Sequence, residues 1–386
     1  MTSHTELANR WRSEFPILAA KTYLCSHSLG AVPARTEASL NRYYSEWATL
    51  GIEAWDGPWW QSVNDFGANI ETVIGAAAGT VVPMQNVTRG FAAIASCFDF
   101  SGPRNKVVMT ALEFTTSYPF WRGLESLGAE VIVVPSDDGM TVPVERICAA
   151  IDERTLIVPT SHVYFRSGAL QDLGAIVERA NAVGAFVVGD GYQTVGTVPV
   201  DVTKLGVHAY VGGSHKWLCG GAGAGFLYVR EDLISTLRPR LTGWFGLRSP
   251  FSYEPGTEPP PQSDGIHRFL GGTPNVPGLY AAMEGIKIVA EVGVEAIRAR
   301  SKALTAAIYA MAMDRELTIR TPADPEKRSG MICVDFDRSE AITRELLARD
   351  IIVDWRPDCG IRLSPHFYNL EEELDVFFGA LDELRS

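Results

Sequence analysis

The chain has 386 residues, 46% hydrophobic and 21% charged, an ordinary globular composition that excludes wholesale disorder and collagen-like repeats. That length exceeds what one core usually sustains and predicts two domains at roughly 150 residues each. A formal net charge of −12 argues against nucleic acid as a partner, because phosphate binding needs a basic surface.

Cys25, Cys97, Cys148, Cys219, Cys333 and Cys359 are scattered without a CxxC pair. Reduced thiols in a cytoplasmic protein are therefore expected, with no disulfide framework and no metal site. The polar start Met1–Arg10 lacks an apolar signal core, and no apolar run reaches the length of a membrane span.

From residue 70 onward apolar β-branched runs alternate with helical stretches, among them the run Val107–Met109. A helical stretch around Tyr118–Leu127 follows, then strands at Glu130–Pro135, Leu156–Pro159, Ala185–Gly189, Ala209–Gly213 and Gly225–Val229. Continuous apolar strands are buried on both faces, so the pattern predicts an α/β fold with a mostly parallel sheet and ligands at the strands' carboxyl ends. The proline-rich stretch from Phe251 to Gly272 reads as a long loop. Beyond it come a helical stretch at about Gly278–Asp314, strands at Met331–Phe336, Ile351–Trp355 and Ile361–Ser364, and helices near Ser339–Arg349 and Leu370–Arg385. The domain division expected is a large α/β domain at 16–275. An N-terminal arm at 1–15 and a smaller α+β domain at 276–386 complete it.

The chemistry concentrates in Asp190-Gly-Tyr-Gln193 and, 26 positions after Asp190, in Lys216, which follows Gly-Gly-Ser-His. A carboxylate and an amine at neighbouring strand ends suit pyridoxal 5′-phosphate (PLP). The lysine would carry it as a Schiff base, and the aspartate would keep its pyridine nitrogen protonated. Either residue alone is more often a loop cap or a solvated charge. The ordered, glycine-flanked pair is the signal.

Over nearly its whole length the chain resembles the class V branch of PLP enzymes. Asp190-Gly-Tyr-Gln193 resembles that branch's Asp-x-x-Gln/His element, and Ser214-His215-Lys216 its lysine element. Within the branch, Tyr23-Leu-Cys-Ser-His-Ser-Leu-Gly30, Glu113-Phe-Thr-Thr-Ser117, Gly243-Trp-Phe-Gly246, Arg268-Phe-Leu-Gly-Gly-Thr-Pro274 and Gly360-Ile-Arg-Leu-Ser-Pro-His-Phe-Tyr-Asn369 are similar to kynureninase segments. The resemblance implies fold type I, the aspartate-aminotransferase-like fold, and a homodimer with shared active sites.

It also implies roles. Val87 and Thr88, opening a helix, would hold the 5′-phosphate. Phe114 would stack on the ring, Gln193 would bond its oxygen, and Ser214 and His215 would reach the phosphate. Trp244 and Thr273 would do so from a neighbouring subunit. Arg362 would fork onto the substrate's α-carboxylate, with His27 and Tyr192 also on the substrate side. His215 and His27, titrating near neutrality, would join Lys216 and Asp190 in catalysis.

Kynureninases carry tyrosine before the lysine where His215 stands, histidine where Gln193 stands, and asparagine where His27 stands. A position often histidine there is Leu247. The implied activity is thus side-chain bond cleavage of an α-amino acid, by a kynureninase-like hydrolase or a C–S lyase. A class V aminotransferase or epimerase is the alternative, and a non-catalytic binding protein of this fold the third. His162 reads as structural and Cys359, three residues before Arg362, as a structural thiol rather than a nucleophile. The cluster Trp55-Asp-Gly-Pro-Trp-Trp60 reads equally as a pocket wall or a packing patch.

Overall fold

Seven strands form one sheet in the computed structural model, which describes residues 4–253 and 261–385. They are Val81–Met84 (β1), Lys106–Thr110 (β2), Glu130–Val134 (β3), Thr155–Ser161 (β4), Phe186–Asp190 (β5), Ala209–Gly213 (β6) and Gly225–Val229 (β7). Their order across the sheet is β1-β7-β6-β5-β4-β2-β3. Pairing is parallel from β6 to β3, while β7 runs antiparallel to both β6 and β1. Every residue of β5, β6 and β7 is buried, as uninterrupted apolar runs require when both faces are covered. Ser161 pairs with Asp190, and Asp190 with Val211, so the carboxyl ends of β4, β5 and β6 line up at one edge.

Four helices matter for the site: Arg35–Leu50 (α1), Val87–Ala95 (α2), Val276–Val292 (α3) and Val294–Met313 (α4). The single helix expected over 278–314 is in fact α3 and α4, parted at Gly293, whose φ of +83° only glycine adopts cheaply. α3 buries Leu279, Met283, Ile286 and Val289 in the same core as the large sheet. α4 instead gives Leu304 and Ile308 to a second core.

That second core underlies a four-stranded antiparallel sheet of Thr318–Ile319 (β8), Ile332–Asp335 (β9), Asp354–Arg356 (β10) and Gly360–Leu363 (β11), ordered β10-β11-β9-β8. The strand expected over Ile351–Trp355 divides at Val353. Ile351–Ile352 pairs in parallel with Thr22–Tyr23, and Asp354–Arg356 joins the small sheet. Tyr23 lies in the first core and Leu24 in the second, so this short pairing ties the two together.

The expected loop from Phe251 to Gly272 holds a short 3-10 turn at Ile266–Phe269, and its proline-rich stretch 254–260 lies outside the described residues. Among the described residues no helix is long and apolar enough to cross a membrane.

Candidate active site

The aligned strand ends open onto a cavity of about 230 Å³ whose walls include Ser161, Asp190, Tyr192, Gln193, His215 and Lys216. Lys216 sits in the connection from β6 to β7. The backbone amides of Ser214 and Gly220 close that connection on the carbonyls of Ala224 (3.0 Å) and Ser214 (2.8 Å). The opening segment braces it from outside, where the Gly30 amide donates to the His215 carbonyl at 2.8 Å. A Cβ on Gly30 would fall 2.1 Å from the Lys216 carbonyl oxygen, so only glycine lets the two backbones approach. Gly30→Ala is expected to displace the lysine loop and weaken cofactor retention about tenfold or more, read from the cofactor's dissociation constant.

Lys216 Nζ stands 4.6 Å from the Tyr192 ring centroid and 5.3 Å from that of Phe114, with no hydrogen bond or ion pair among the described residues. Burial pushes the amine down to about 8, against the pull of the Asp190 charge. Asp190 is itself pushed up to about 6 by burial. One backbone donor, the Tyr192 amide at 2.9 Å, reaches its Oδ1. Its Oδ2 has no hydrogen-bond partner among the described residues, so the buried carboxylate has room for one more donor.

A third wall is the start of α2. Asn86 caps it, accepting the Arg89 amide at 3.0 Å, while Asn86, Val87 and Thr88 all line the cavity. The Val87 and Thr88 amides have no acceptor among the described residues, which makes this helix end a place for an anion. The Thr88 hydroxyl pairs with that of Thr116 at 2.8 Å. Phe114 is 40% exposed, its face open to the cavity rather than sunk in the core, and it meets Phe165 edge-on at 5.1 Å.

Ser214 and Gln193 are engaged by the protein itself. The fully buried Ser214 hydroxyl donates to the Gly221 carbonyl at 2.9 Å and does not line the cavity; it pins the lysine loop. Gln193 reaches the cavity, but its amide already donates to the His27 carbonyl and accepts from Trp217 Nε1, both at 3.0 Å.

Arg362, expected on the substrate, is 3% exposed and engaged throughout. Nε and Nη2 fork onto Asp354 at 2.8 and 2.6 Å, and Nη1 donates to the Phe165 carbonyl at 2.8 Å. His27, also expected there, is fully buried in the same cluster. Its Nε2 lies 2.9 Å from Asp354 Oδ1, and its Nδ1 bonds the Ser364 hydroxyl. Burial, then the Arg362 charge, push His27 down to about 4, so it is neutral at pH 7. Burial opposes ionisation of Asp354, but hydrogen bonds from His27 and Arg362 hold it well below the usual carboxylate range. Neither Arg362 nor His27 lines the cavity, although Phe165, whose carbonyl Arg362 grips, does.

Thr273 lines a neighbouring cavity of about 350 Å³ with Gln85 and Arg89, across the turn that carries Asn86–Thr88. Trp244 packs on Phe245 with centroids 4.0 Å apart. Trp55 and Trp60 also pack against Phe245, at 5.7 and 5.5 Å, which favours the packing patch. His162 Nδ1 bonds the Tyr210 hydroxyl at 2.9 Å, a structural tie. Cys359 is buried with its thiol 2.9 Å from the Arg166 carbonyl.

Sequence reasoning missed two carboxylates. Glu113 accepts the Ser161 amide and hydroxyl at 2.8 and 2.6 Å beneath the cavity, and burial pushes it up to about 7. Asp354 was legible in principle, since it and Arg362 stand equally far from the turn of a β-hairpin.

Solved structures share this architecture. The apo cysteine desulfurase of Thermococcus onnurineus superposes with a TM-score of 0.86 over 97% of both chains at 20% identity. The cystine C–S lyase C-DES, bound to its product cysteine persulfide, gives 0.85 over 95% of this chain and 98% of its own, also at 20%. These likenesses establish the expected fold type I. In sequence, a Bacillus subtilis uncharacterized aminotransferase, YcbU, is 30% identical over 98% of this chain and 97% of its own. The kynureninase of Pseudomonas fluorescens is 28% identical over 89% of this chain and 84% of its own. The sequence pattern of the aminotransferase class-V family matches residues 22–377, spanning the aligned strand ends, the lysine loop and the small sheet, and the chain belongs to that family.

Proposed function

We propose that this chain is a PLP-dependent enzyme that cleaves a side-chain bond of an α-amino acid, as a kynureninase-like hydrolase or a C–S lyase. The observation that carries the reading is the unpaired Lys216 amine facing the under-supplied Asp190 carboxylate across an aromatic-walled cavity. The residues present fit the cofactor. Lys216 would hold its aldehyde carbon and Asp190 its protonated ring nitrogen. The free amides at the start of α2 would hold its phosphate, and Phe114 would face the ring. When bound, PLP supplies an electron sink for charge developing at the substrate's α-carbon.

The chain's own residues supply the rest. Lys216 Nζ, whose hold on a proton burial weakens, is the base for the α-proton. Gln193, with one amide N–H left over, is placed to donate into the cavity. No cysteine lines the cavity among the described residues, which argues against a protein thiol as nucleophile. We also propose a homodimer in which Trp244 and Thr273 complete the partner's phosphate site. The second reading, an aminotransferase, is favoured by the 30% identity to YcbU.

Product release from kynurenine, cysteine sulfinate and S-substituted cysteines, followed with and without a keto acid, tests the choice. A lyase or hydrolase releases its fragment without the acceptor; an aminotransferase turns over only with it. Uptake of PLP by the apo-protein should also track Lys216. Below pH 8 the amine is mostly ammonium and cannot attack. The rate of colour development is therefore expected to rise about tenfold per pH unit up to roughly 8 and then level off, by stopped-flow absorbance.

A further inference from the structure

Tyr192 and His215 both line the cavity, and their pairing has no part in the proton transfer assigned to Lys216. The Tyr192 hydroxyl lies 2.8 Å from His215 Nδ1, with ring centroids 5.1 Å apart. The chain is built around this contact. A Cβ on Gly213, the last residue of β6, would fall 2.2 Å from the Tyr192 oxygen. Tyr192 therefore lies against the bare end of β6 and reaches the histidine two residues further on. Lys216 Nζ sits over the Tyr192 ring, 4.6 Å from its centroid.

Both partners are neutral near pH 7. Burial holds the phenol above its ordinary value, and the nearby Asp190 charge adds to this. Burial, then the Lys216 charge, push His215 down to about 4. A neutral imidazole has one N–H and one lone pair, and a phenol is the better donor of the two groups while the imidazole nitrogen is the better acceptor. A phenol that donates to Nδ1 leaves the ring proton on Nε2. Among the described residues Nε2 has no partner, and the amides at the start of α2 make this cavity receptive to an anion.

We propose that Tyr192 is a positioning residue that fixes His215 as the Nε2–H tautomer, so that the imidazole meets a bound ligand's anionic oxygen as a neutral hydrogen-bond donor. The inference rests on the cavity being the PLP site only for the identity of that ligand. The anionic oxygen belongs either to the cofactor's phosphate or to an acidic group of the substrate.

The test uses protein labelled with ¹⁵N in its histidine rings, with His215 assigned through the resonance lost in His215→Gln. In the wild type, before and after PLP is added, Nδ1 should resonate as an acceptor nitrogen and Nε2 as a protonated one. Tyr192→Phe keeps the ring and loses the phenol; the His215 signals should move to a mixture of tautomers. Gly213→Ala, which pushes the phenol aside, should do the same. In the apo-protein, Tyr192→Phe should weaken binding of inorganic phosphate roughly tenfold if the phosphate is the acceptor, or of acetate if a substrate carboxylate is. A wild-type Nδ1–H ring, unchanged tautomers in Tyr192→Phe, or undiminished binding of both anions would overturn the proposal. A protein that stays colourless with PLP yet shows the tautomer shift would remove the cofactor reading and leave the Tyr192–His215 pairing standing.

Discussion

Lys216→Ala is expected to give a folded protein that forms no borohydride-reducible adduct with PLP and whose turnover falls by at least about 10⁴-fold. One side chain is asked both to hold the cofactor covalently and to move the substrate's α-proton, and general acid–base catalysis alone accounts for 10²–10⁴. The fold should not suffer. Nζ makes no hydrogen bond or ion pair among the described residues, and burial disfavours its charge. Removing it takes away a poorly solvated ammonium and breaks no hydrogen bond, while the buried Asp190, deprived of the nearby positive charge, takes up a proton more readily. Thermal unfolding should therefore be unchanged or shift slightly upward while the absorption band and activity vanish. Survival of a reducible PLP adduct in Lys216→Ala would place the cofactor on another amine and sink the assignment. Asp190→Asn is the intermediate case: the coloured form is retained, but turnover drops, because an amide does not hold a proton on the ring nitrogen.

What was legible in the sequence divides along physical lines. β4 to β7 were visible because strands buried on both faces need unbroken apolar runs, and their ends then placed Asp190 and Lys216 together. The lysine, the aspartate, the start of α2 and Phe114 line one cavity. Side-chain partnerships were not legible. Nothing in the Ser-His-Lys motif tells that Ser214 turns inward to Gly221, or that Tyr192 finds His215 across Gly213. The break at Gly293 was also hidden, since apolar positions continue on both sides of it. Arg362 was read as an open fork because its motif names only the arginine; the carboxylate that fills the fork arrives through strand pairing, with Asp354 on β10 directly opposite it on β11.

That fork carries the largest expected effect on stability. Arg362 is 3% exposed, and Asp354 accepts two of its N–H groups, the ring N–H of His27, and a contact from Arg356 at 3.1 Å. Asp354→Asn keeps the shape and removes the charge, leaving a buried guanidinium uncompensated. Breaking a buried pair from one side costs about 3–5 kcal/mol, and urea unfolding should show a loss of that size. Replacing both partners with apolar residues of similar volume, as Asp354→Leu with Arg362→Met, should recover only part of it, because the swap removes both charges but leaves the His27 ring N–H and the Phe165 carbonyl without partners. The double variant thereby separates two roles that single variants confound. If Arg362 serves only as the anchor between β10, β11 and the Phe165 carbonyl, the stabilised double variant keeps its KM for amino acids. If the substrate's α-carboxylate displaces Asp354 from the fork, the double variant is stable but its KM rises by roughly 10- to 100-fold, the worth of a lost charge-assisted hydrogen bond. Under that second outcome, Asp354 is the internal carboxylate that keeps a buried arginine satisfied until the substrate arrives, and added acetate should compete with substrate in the wild type but not in the double variant.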